Sequence, residues 1–166
     1  IGIPDPFDVP DDVPQHGVHE SGRLVAADPL DELHAFVDRR GMGNAFEKED
    51  SARPLLEFRL LADQGNALAQ NYLGVMYAMG QDVPQDYQEA MRWFRKAAGQ
   101  GEALAQINLG LMYARGQGVP QDYQQAMQWF RKAADQGQGK AQFNLGLMYA
   151  RGQGVSQDYP EAMQWF

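Results

Sequence analysis

Side chains that could act as nucleophiles are scarce in this sequence. It contains no cysteine and no threonine, and its serines are Ser21, Ser51 and Ser156. None of the three lies in a Gly-x-Ser-x-Gly turn, and no histidine accompanies them in a repeat, so the base that would activate a hydroxyl is missing. Covalent catalysis is therefore disfavoured, and a hydrolase is the weakest of the functions considered below.

The three histidines are the next candidates, because imidazole is a common metal ligand. His16 and His19 are separated by two residues and lie near several aspartates, whereas His34 stands alone. The surroundings of the first two are rich in proline and glycine and give no regular scaffold for a set of ligands. The sequence also has no phosphate-binding loop and no dinucleotide-binding fingerprint. We therefore predict no metal site, no cofactor and no catalytic residue.

A third set of candidates consists of carboxylates that recur every 36 residues. Each aspartate is followed three positions later by Glu or Gln, in the pairs Asp86–Glu89, Asp122–Gln125 and Asp158–Glu161. This spacing is typical of a capping box at a helix N-terminus, where each cap contributes about 1 kcal/mol. We therefore interpret these aspartates as helix caps rather than as acid–base catalysts.

The same 36-residue step governs the chain from residue 66 onward. Aromatic pairs follow it at Trp93-Phe94, Trp129-Phe130 and Trp165-Phe166. A fixed period of this size indicates stacked units, here of two helices each. The first helices are predicted over 66–79, 102–115 and 138–151, and the second helices begin after the capping aspartates.

Glycines recur at two points of each unit. Left-handed residues are expected just past the second helices, at Gly65, Gly101 and Gly137. Three further glycines, Gly74, Gly110 and Gly146, lie inside the first helices. Glycine there costs roughly 1 kcal/mol relative to alanine. We therefore expect a neighbouring helix to pass close to these three positions.

The net charge of −8 resides entirely in the first fifty residues. Residues 1–50 carry 12 acidic and 4 basic side chains, whereas residues 51–166 carry 10 of each. A neutral repeat body lacks the basic surface that neutralises phosphates, so no nucleic-acid partner is predicted. No apolar run approaches the roughly 20 residues that cross a bilayer, so no membrane span is predicted.

The chain divides into an N-terminal region and a repeat body. We predict an acidic proline-rich arm over 1–27, an amphipathic capping helix and linker over 28–50, a degenerate leading half-repeat over 51–65, and repeats over 66–101, 102–137 and 138–166. The third repeat stops within its second helix, so we expect it to be truncated and to expose an apolar face. That face would support a homodimer through the C-terminal repeat.

The fullest copy of the repeat lies at residues 105–130. It reads Ala-Gln-x-x-Leu-Gly-x-Met-Tyr-Ala-x-Gly-Gln-Gly-Val-x-Gln-Asp-Tyr-x-x-Ala-Met-x-Trp-Phe. This string resembles the Sel-like repeat (SLR), a relative of the tetratricopeptide repeat (TPR), and the resemblance covers 66–166 well and 53–65 weakly. It implies an all-α fold, an α/α superhelical solenoid of Sel-like (TPR-like) helix pairs whose first helices line a concave face. The extended arm and the capping helix precede that solenoid.

The resemblance also implies a class of function. Sel-like repeat proteins usually act as scaffolds or adaptors that hold other proteins, and the bacterial ones include envelope proteins and immunity proteins that neutralise secreted phospholipases. A cysteine-rich subgroup has been credited with β-lactam hydrolysis, which does not carry over to this cysteine-free chain. A periplasmic or cell-envelope location is expected only because family members are often found there, and the cytoplasm is the alternative.

The tetratricopeptide relatives also imply where a partner would lie. Counted from the Leu-Gly pairs, the ligand-facing positions are Leu68, Asn71, Val75, Met79, Leu104, Ile107, Leu111, Arg115, Lys140, Phe143, Leu147 and Arg151, which we call the first-helix stripe. Its apolar middle would hold an amphipathic helix or an extended peptide, with Arg115 and Arg151 fixing the orientation. Tyr72, Asn108 and Asn144 are lesser candidates for polar contacts. Alternatively, some of the stripe is core between repeats.

From these observations we predict a non-enzymatic repeat scaffold that binds a protein or peptide on its concave face. One alternative is a bacterial immunity or inhibitor protein that neutralises a secreted toxin or phospholipase, and a hydrolase is the other. A further hypothesis places the acidic arm in the groove of the same chain, with its carboxylates against the cationic edge.

Overall fold

The computed structural model describes residues 52–166, and within this range the chain forms seven α-helices and no strand. In chain order they are α1 (Ala52–Asp63), α2 (Ala67–Met79), α3 (Tyr87–Gly99), α4 (Ala103–Arg115), α5 (Tyr123–Ala134), α6 (Gly139–Arg151) and α7 (Tyr159–Trp165). Each predicted first helix is present and begins one residue later than expected, directly after its N-cap. The predicted arm and capping helix lie outside the described residues.

The helices stack in the order of the chain. Each one packs mainly against the helix before it and the helix after it. The pairs α2–α3, α4–α5 and α6–α7 form three repeats, and α1 packs in front of the first. Clusters of buried side chains are shared between successive pairs, so the core is a continuous stack. The all-α solenoid predicted from the sequence is thus confirmed.

The recurring aspartates cap the second helices, as predicted. Their side chains accept hydrogen bonds at 2.9–3.1 Å from backbone N–H groups three residues ahead: Asp86 from Glu89, Asp122 from Gln125 and Asp158 from Glu161. Cap chemistry therefore accounts for these carboxylates.

The reciprocal half of the predicted capping box does not form. The backbone N–H of Asp86 donates to the carbonyl of Tyr77 at 2.8 Å instead of to the Glu89 side chain, and the two later repeats repeat this bond. That bond ties the start of the second helix to the end of the first helix of the same repeat. A tertiary contact has replaced a local one, and the interpretation as a complete capping box was wrong in this respect.

The glycines inside the first helices mark a close approach within each repeat. A Cβ added at Gly74, Gly110 or Gly146 would lie 2.5–2.6 Å from a ring carbon of Phe94, Phe130 or Phe166, respectively. Carbon atoms in contact normally lie about 3.5–4.0 Å apart. The expected passage of a neighbouring helix is confirmed, and the neighbour is the second helix of the same repeat.

We expect Gly110→Ala to lower the free energy of unfolding by about 1–3 kcal/mol, because the fully buried Phe130 ring has no room to move away. The added methyl group overpacks the contact with Phe130, and this cost should exceed the roughly 1 kcal/mol gained from the higher helix propensity of alanine. Urea denaturation followed by circular dichroism measures the change. Gly99→Ala is the matched control, since a Cβ at this helical position meets no atom within 4 Å. Equal effects of the two substitutions would contradict the packing argument.

A second close approach joins successive repeats. Gly118 has a φ of +72°, and a Cβ there would lie 2.7 Å from the carbonyl oxygen of Tyr87 in the preceding repeat. Gly154 has the same relation to Tyr123. The equivalent position of the first repeat is occupied by Asp82, whose φ of +57° is also left-handed. The first repeat therefore places a residue with a Cβ in a conformation that favours glycine.

Asp82→Gly is expected to stabilise the protein by about 0.5–1 kcal/mol, since the left-handed conformation costs an L-residue about 1–2 kcal/mol and the greater chain entropy of glycine offsets only part of this. The midpoint of urea denaturation should rise accordingly. The reciprocal variant Gly118→Asp should destabilise, because it adds both the strain and the contact with Tyr87. A lower midpoint for Asp82→Gly would refute the argument from backbone conformation.

Candidate functional site

The structure buries the middle of the first-helix stripe. Five of its members are only 0–8% exposed: Asn71, Val75, Ile107, Leu111 and Leu147. Ile107 and Leu111 belong to one buried cluster with Ala141 and Leu145 of the next repeat. Side chains of α4 and α6 therefore share one core where a groove was expected. These five residues are corrected from partner-binding positions to buried ones.

The remaining members of the stripe lie nearer the two ends of the first helices. We call one group the N-terminal rim, which consists of Leu68, Leu104, Lys140 and Phe143, and the other the C-terminal rim, which consists of Met79, Arg115 and Arg151. Leu68 and Phe143 are 39% and 37% exposed, and Leu104 is partly buried. Lys140 and the members of the C-terminal rim are exposed. The predicted groove is therefore reduced to two separate rims.

The polar side chains near the stripe bond to one another, both between repeats and within them. The Asn108 amide donates to the Asn71 carbonyl oxygen of the preceding repeat at 3.0 Å, and both side chains are buried. Two glutamine pairs lie within single repeats, since Gln100 donates to Gln70 at 2.7 Å and Gln136 donates to Gln106 at 2.9 Å. Because an unpaired buried amide is costly, the asparagine bond favours a fixed register between repeats, and the glutamine bonds favour a fixed arrangement within each repeat. These side-chain pairs were not predicted from the sequence, although Gln70 and Gln106 recur at the 36-residue step.

Tyr72 also serves packing. It is buried, and its ring lies 4.3 Å from that of Phe58 between centroids, tilted by 50°. Burial raises the pKa of its hydroxyl, and the nearby Asp82 carboxylate raises that pKa further. A tyrosine that stays protonated in this setting contributes to the core and has no evident role in acid–base chemistry.

A second surface, which the sequence analysis missed, lies along the second helices. The Lys96 ammonium sits 4.1 Å above the Trp93 ring, and that of Lys132 sits 4.2 Å above the Trp129 ring. Arginines on these helices donate to tyrosine hydroxyls of the following repeat, with Arg95 bonded to Tyr113 at 3.1 Å. The recurring Trp-Phe-Arg-Lys string was the available signal, since it places a cation one helical turn after each indole.

Between α1 and α3 this surface forms a groove of about 700 Å³, which we call the basic groove. Its lining includes Arg59 of α1, Tyr77 of α2, and Arg92, Trp93, Arg95 and Lys96 of α3. Arg59 donates to the Tyr77 hydroxyl at 3.3 Å, which links α1 to α2 at the groove. The groove is thus a basic surface with a partly aromatic lining, on a face separate from the first-helix stripe.

Among residues 52–166 no three His, Cys, Asp or Glu side chains are grouped as metal ligands would be. In the same range no helix has the length and apolarity to cross a bilayer. Of the three serines, Ser156 is an exposed loop residue, whereas Ser21 and Ser51 lie outside the described part of the chain, as do the three histidines.

The family model for the Sel1 repeat matches residues 67–102, 103–138 and 139–166. The chain belongs to the Sel1 repeat family. It is similar to a Sel1 repeat protein from Oxalobacter formigenes, at 40% identity over 68% of this chain and 85% of that one, with a TM-score of 0.60. Sel1 repeat proteins are generally non-catalytic scaffolds, and the fold typically mediates protein–protein interaction.

A second solved Sel1 repeat relative is much longer. It is c5321, a protective antigen of uropathogenic Escherichia coli strains with an SLR fold, and the match has 43% identity over 70% of this chain with a TM-score of 0.69. The present chain spans only 25% of that protein. No curated protein matches the chain.

We expect the stability of the wild type to fall relative to Tyr72→Phe as the pH rises above about 10, the usual pKa of tyrosine. The folded-state pKa of Tyr72 is raised, so its contribution is fully present below the unfolded pKa and is lost as the pH rises through the folded value. Urea unfolding of both proteins from neutral to alkaline pH measures the difference. Parallel pH profiles would show that Tyr72 ionisation is not coupled to folding.

Proposed function

We propose that this Sel1 repeat chain is a non-enzymatic protein-binding module whose partner contacts the N-terminal rim. The observation that carries the proposal is the exposure of Leu68 and Phe143 on first helices whose other large apolar residues are mostly buried. Large side chains that are well packed on one side and open on the other are typical anchors for a peptide or helix.

The arrangement of charge supports the same surface. Lys140 occupies the position of Leu68 and Leu104 in the third repeat and lies one turn before Phe143. A cation beside an apolar anchor favours a partner that presents an apolar residue next to a carboxylate. Arg115 and Arg151 on the C-terminal rim lie one to two helical turns beyond the buried middle and would fix the direction of a longer partner.

The alternatives drawn from the sequence gain no specific support. No contact within residues 52–166 favours an immunity or inhibitor role against a toxin or phospholipase, and none favours a hydrolase, so neither is proposed. The homodimer stays a prediction, with Met163 and Phe166 as the exposed apolar side chains that it would bury.

The proposal predicts that Leu68→Asp/Phe143→Asp lowers the affinity for the partner by about tenfold or more, since the loss of an interface anchor costs at least 1–2 kcal/mol. Partners captured on the full chain would be identified, purified and titrated by calorimetry. The matched control is Leu60→Asp/Met163→Asp, which introduces the same charges at apolar residues 61% and 71% exposed outside both rims. Circular dichroism melts establish that each variant is folded.

Two outcomes would contradict the proposal. Binding that survives in Leu68→Asp/Phe143→Asp would exclude the N-terminal rim, and binding lost only in the control would place the interface on another face. The number of partners is also informative, because an immunity protein should yield one tight complex whereas an adaptor should yield several weaker ones.

A further inference from the structure

The basic groove carries an excess of positive charge, although the repeat body as a whole is neutral. Four cations line it, Arg59, Arg92, Arg95 and Lys96, against the two carboxylates of Asp63 and Glu89. The Arg92 side chain is 72% exposed at its wall. The Lys96 ammonium lies over the Trp93 ring and keeps its N–H donors for a further acceptor. The groove is therefore suited to a ligand that brings carboxylates.

A buried donor beside the groove points to the same kind of ligand. Trp93 is 5% exposed, and its indole N–H has no hydrogen-bond acceptor among the described residues. In the third repeat the equivalent indole of Trp165 donates to Glu161 at 3.2 Å. A buried N–H without an acceptor lowers stability, so the first repeat has left a favourable bond unmade.

The reason for the missing bond is a difference between the repeats. The first-repeat equivalent of Glu161 is Glu89, and Glu89 accepts instead from Arg92 at 2.5 Å. The third repeat has Gln164 at the position of Arg92, so nothing there diverts the glutamate from its indole. A carboxylate that entered the groove and paired with Arg92 would release Glu89 to accept from the Trp93 indole. Ligand binding would then satisfy a donor that is otherwise unpaired.

The same chain contains a segment with the required chemistry. Residues 1–27 carry five carboxylates and one basic side chain, interspersed with apolar residues. Residues 28–51 connect this segment to α1, which forms one wall of the groove. Even if fully helical, this connection would reach roughly 36 Å, about twice the length of the 12-residue α1. A tethered segment of this reach has an effective concentration on the order of millimolar.

We propose that the acidic segment of residues 1–27 binds in cis in the basic groove. Its carboxylates pair with Arg92 and Lys96, and Glu89 turns to the Trp93 indole. This assignment differs from the sequence hypothesis, which placed the arm along the first-helix stripe. The stripe has a buried middle and cations at opposite ends, whereas the groove gathers four cations in one site.

The test uses the full chain and exploits its lack of cysteine. A spin label attached to Gln15→Cys should broaden nearby N–H signals, and the three tryptophan indoles give three separate signals to compare. The Trp93 indole should lose roughly half or more of its intensity, because at this effective concentration an intrinsic Kd of about 1 mM or less leaves the segment mostly bound. Trp129 and Trp165 should lose less. Chemical reduction of the label provides the unbroadened reference.

A charge-reversal pair separates groove binding from general attraction. Arg92→Glu/Lys96→Glu should restore the Trp93 signal, whereas Lys132→Glu/Lys140→Glu, with the same change in net charge outside the groove, should leave the broadening in place. Salt at about 1 M, where the Debye length is about 3 Å, should also restore the signal. Equal broadening of all three indoles, no broadening of Trp93, or broadening that persists in Arg92→Glu/Lys96→Glu would each overturn the proposal.

Discussion

The contact between a glycine of the first helix and a phenylalanine of the second is the constraint on which the structure depends. At Gly110 the Phe130 ring occupies the space that any larger side chain would need, and the same relation holds in the other two repeats. Glycine lowers the stability of the first helix, but it allows the two helices of a repeat to pack closely together. Once the pair is fixed, the end of the first helix can reach the start of the second, and the bond from the Asp122 N–H to the Tyr113 carbonyl follows. The cap and the loop are consequences of the packing.

Stacking of the pairs decides which surfaces remain for function. Ile107 and Leu111 lie in a core shared with the next repeat, and the Asn71–Asn108 pair aligns the two units, whereas the glutamine pairs lie within single repeats. What remains exposed is the two rims of the first helices and the basic surface of the second helices. Both follow the long axis of the stack, which suits extended macromolecular partners better than small substrates. The neutral total charge of the body conceals the basic surface, because Arg59, Arg92, Arg95 and Lys96 gather in one groove.

The sequence was sufficient for whatever is local or strictly periodic. It predicted the helices, the aspartate caps, the left-handed glycines and the close approach at Gly110, since each has a signature within a few residues. It left open whether Ile107 and Leu111 line a groove or the core, because periodicity identifies a face of a helix without saying what packs against it. Their burial depends on side chains of another repeat, Ala141 and Leu145. The basic groove was missed for a similar reason, since it joins Arg59 to residues more than thirty positions away.

The three repeats also serve as internal controls for one another. Positions that hold the stack together do not vary, as Gly74, Gly110 and Gly146 show, because a change there would damage the pair. Exposed positions are free to vary, and they do so on the surfaces assigned to binding: residue 140 is Lys where residues 68 and 104 are Leu. Residue 92 is Arg where residues 128 and 164 are Gln. The Arg92 substitution diverts Glu89 from the Trp93 indole, a local cost that stacking alone gives no reason to retain. A ligand for Arg92 supplies that reason, and it accounts for why the first repeat leaves a buried indole without an acceptor whereas the third does not.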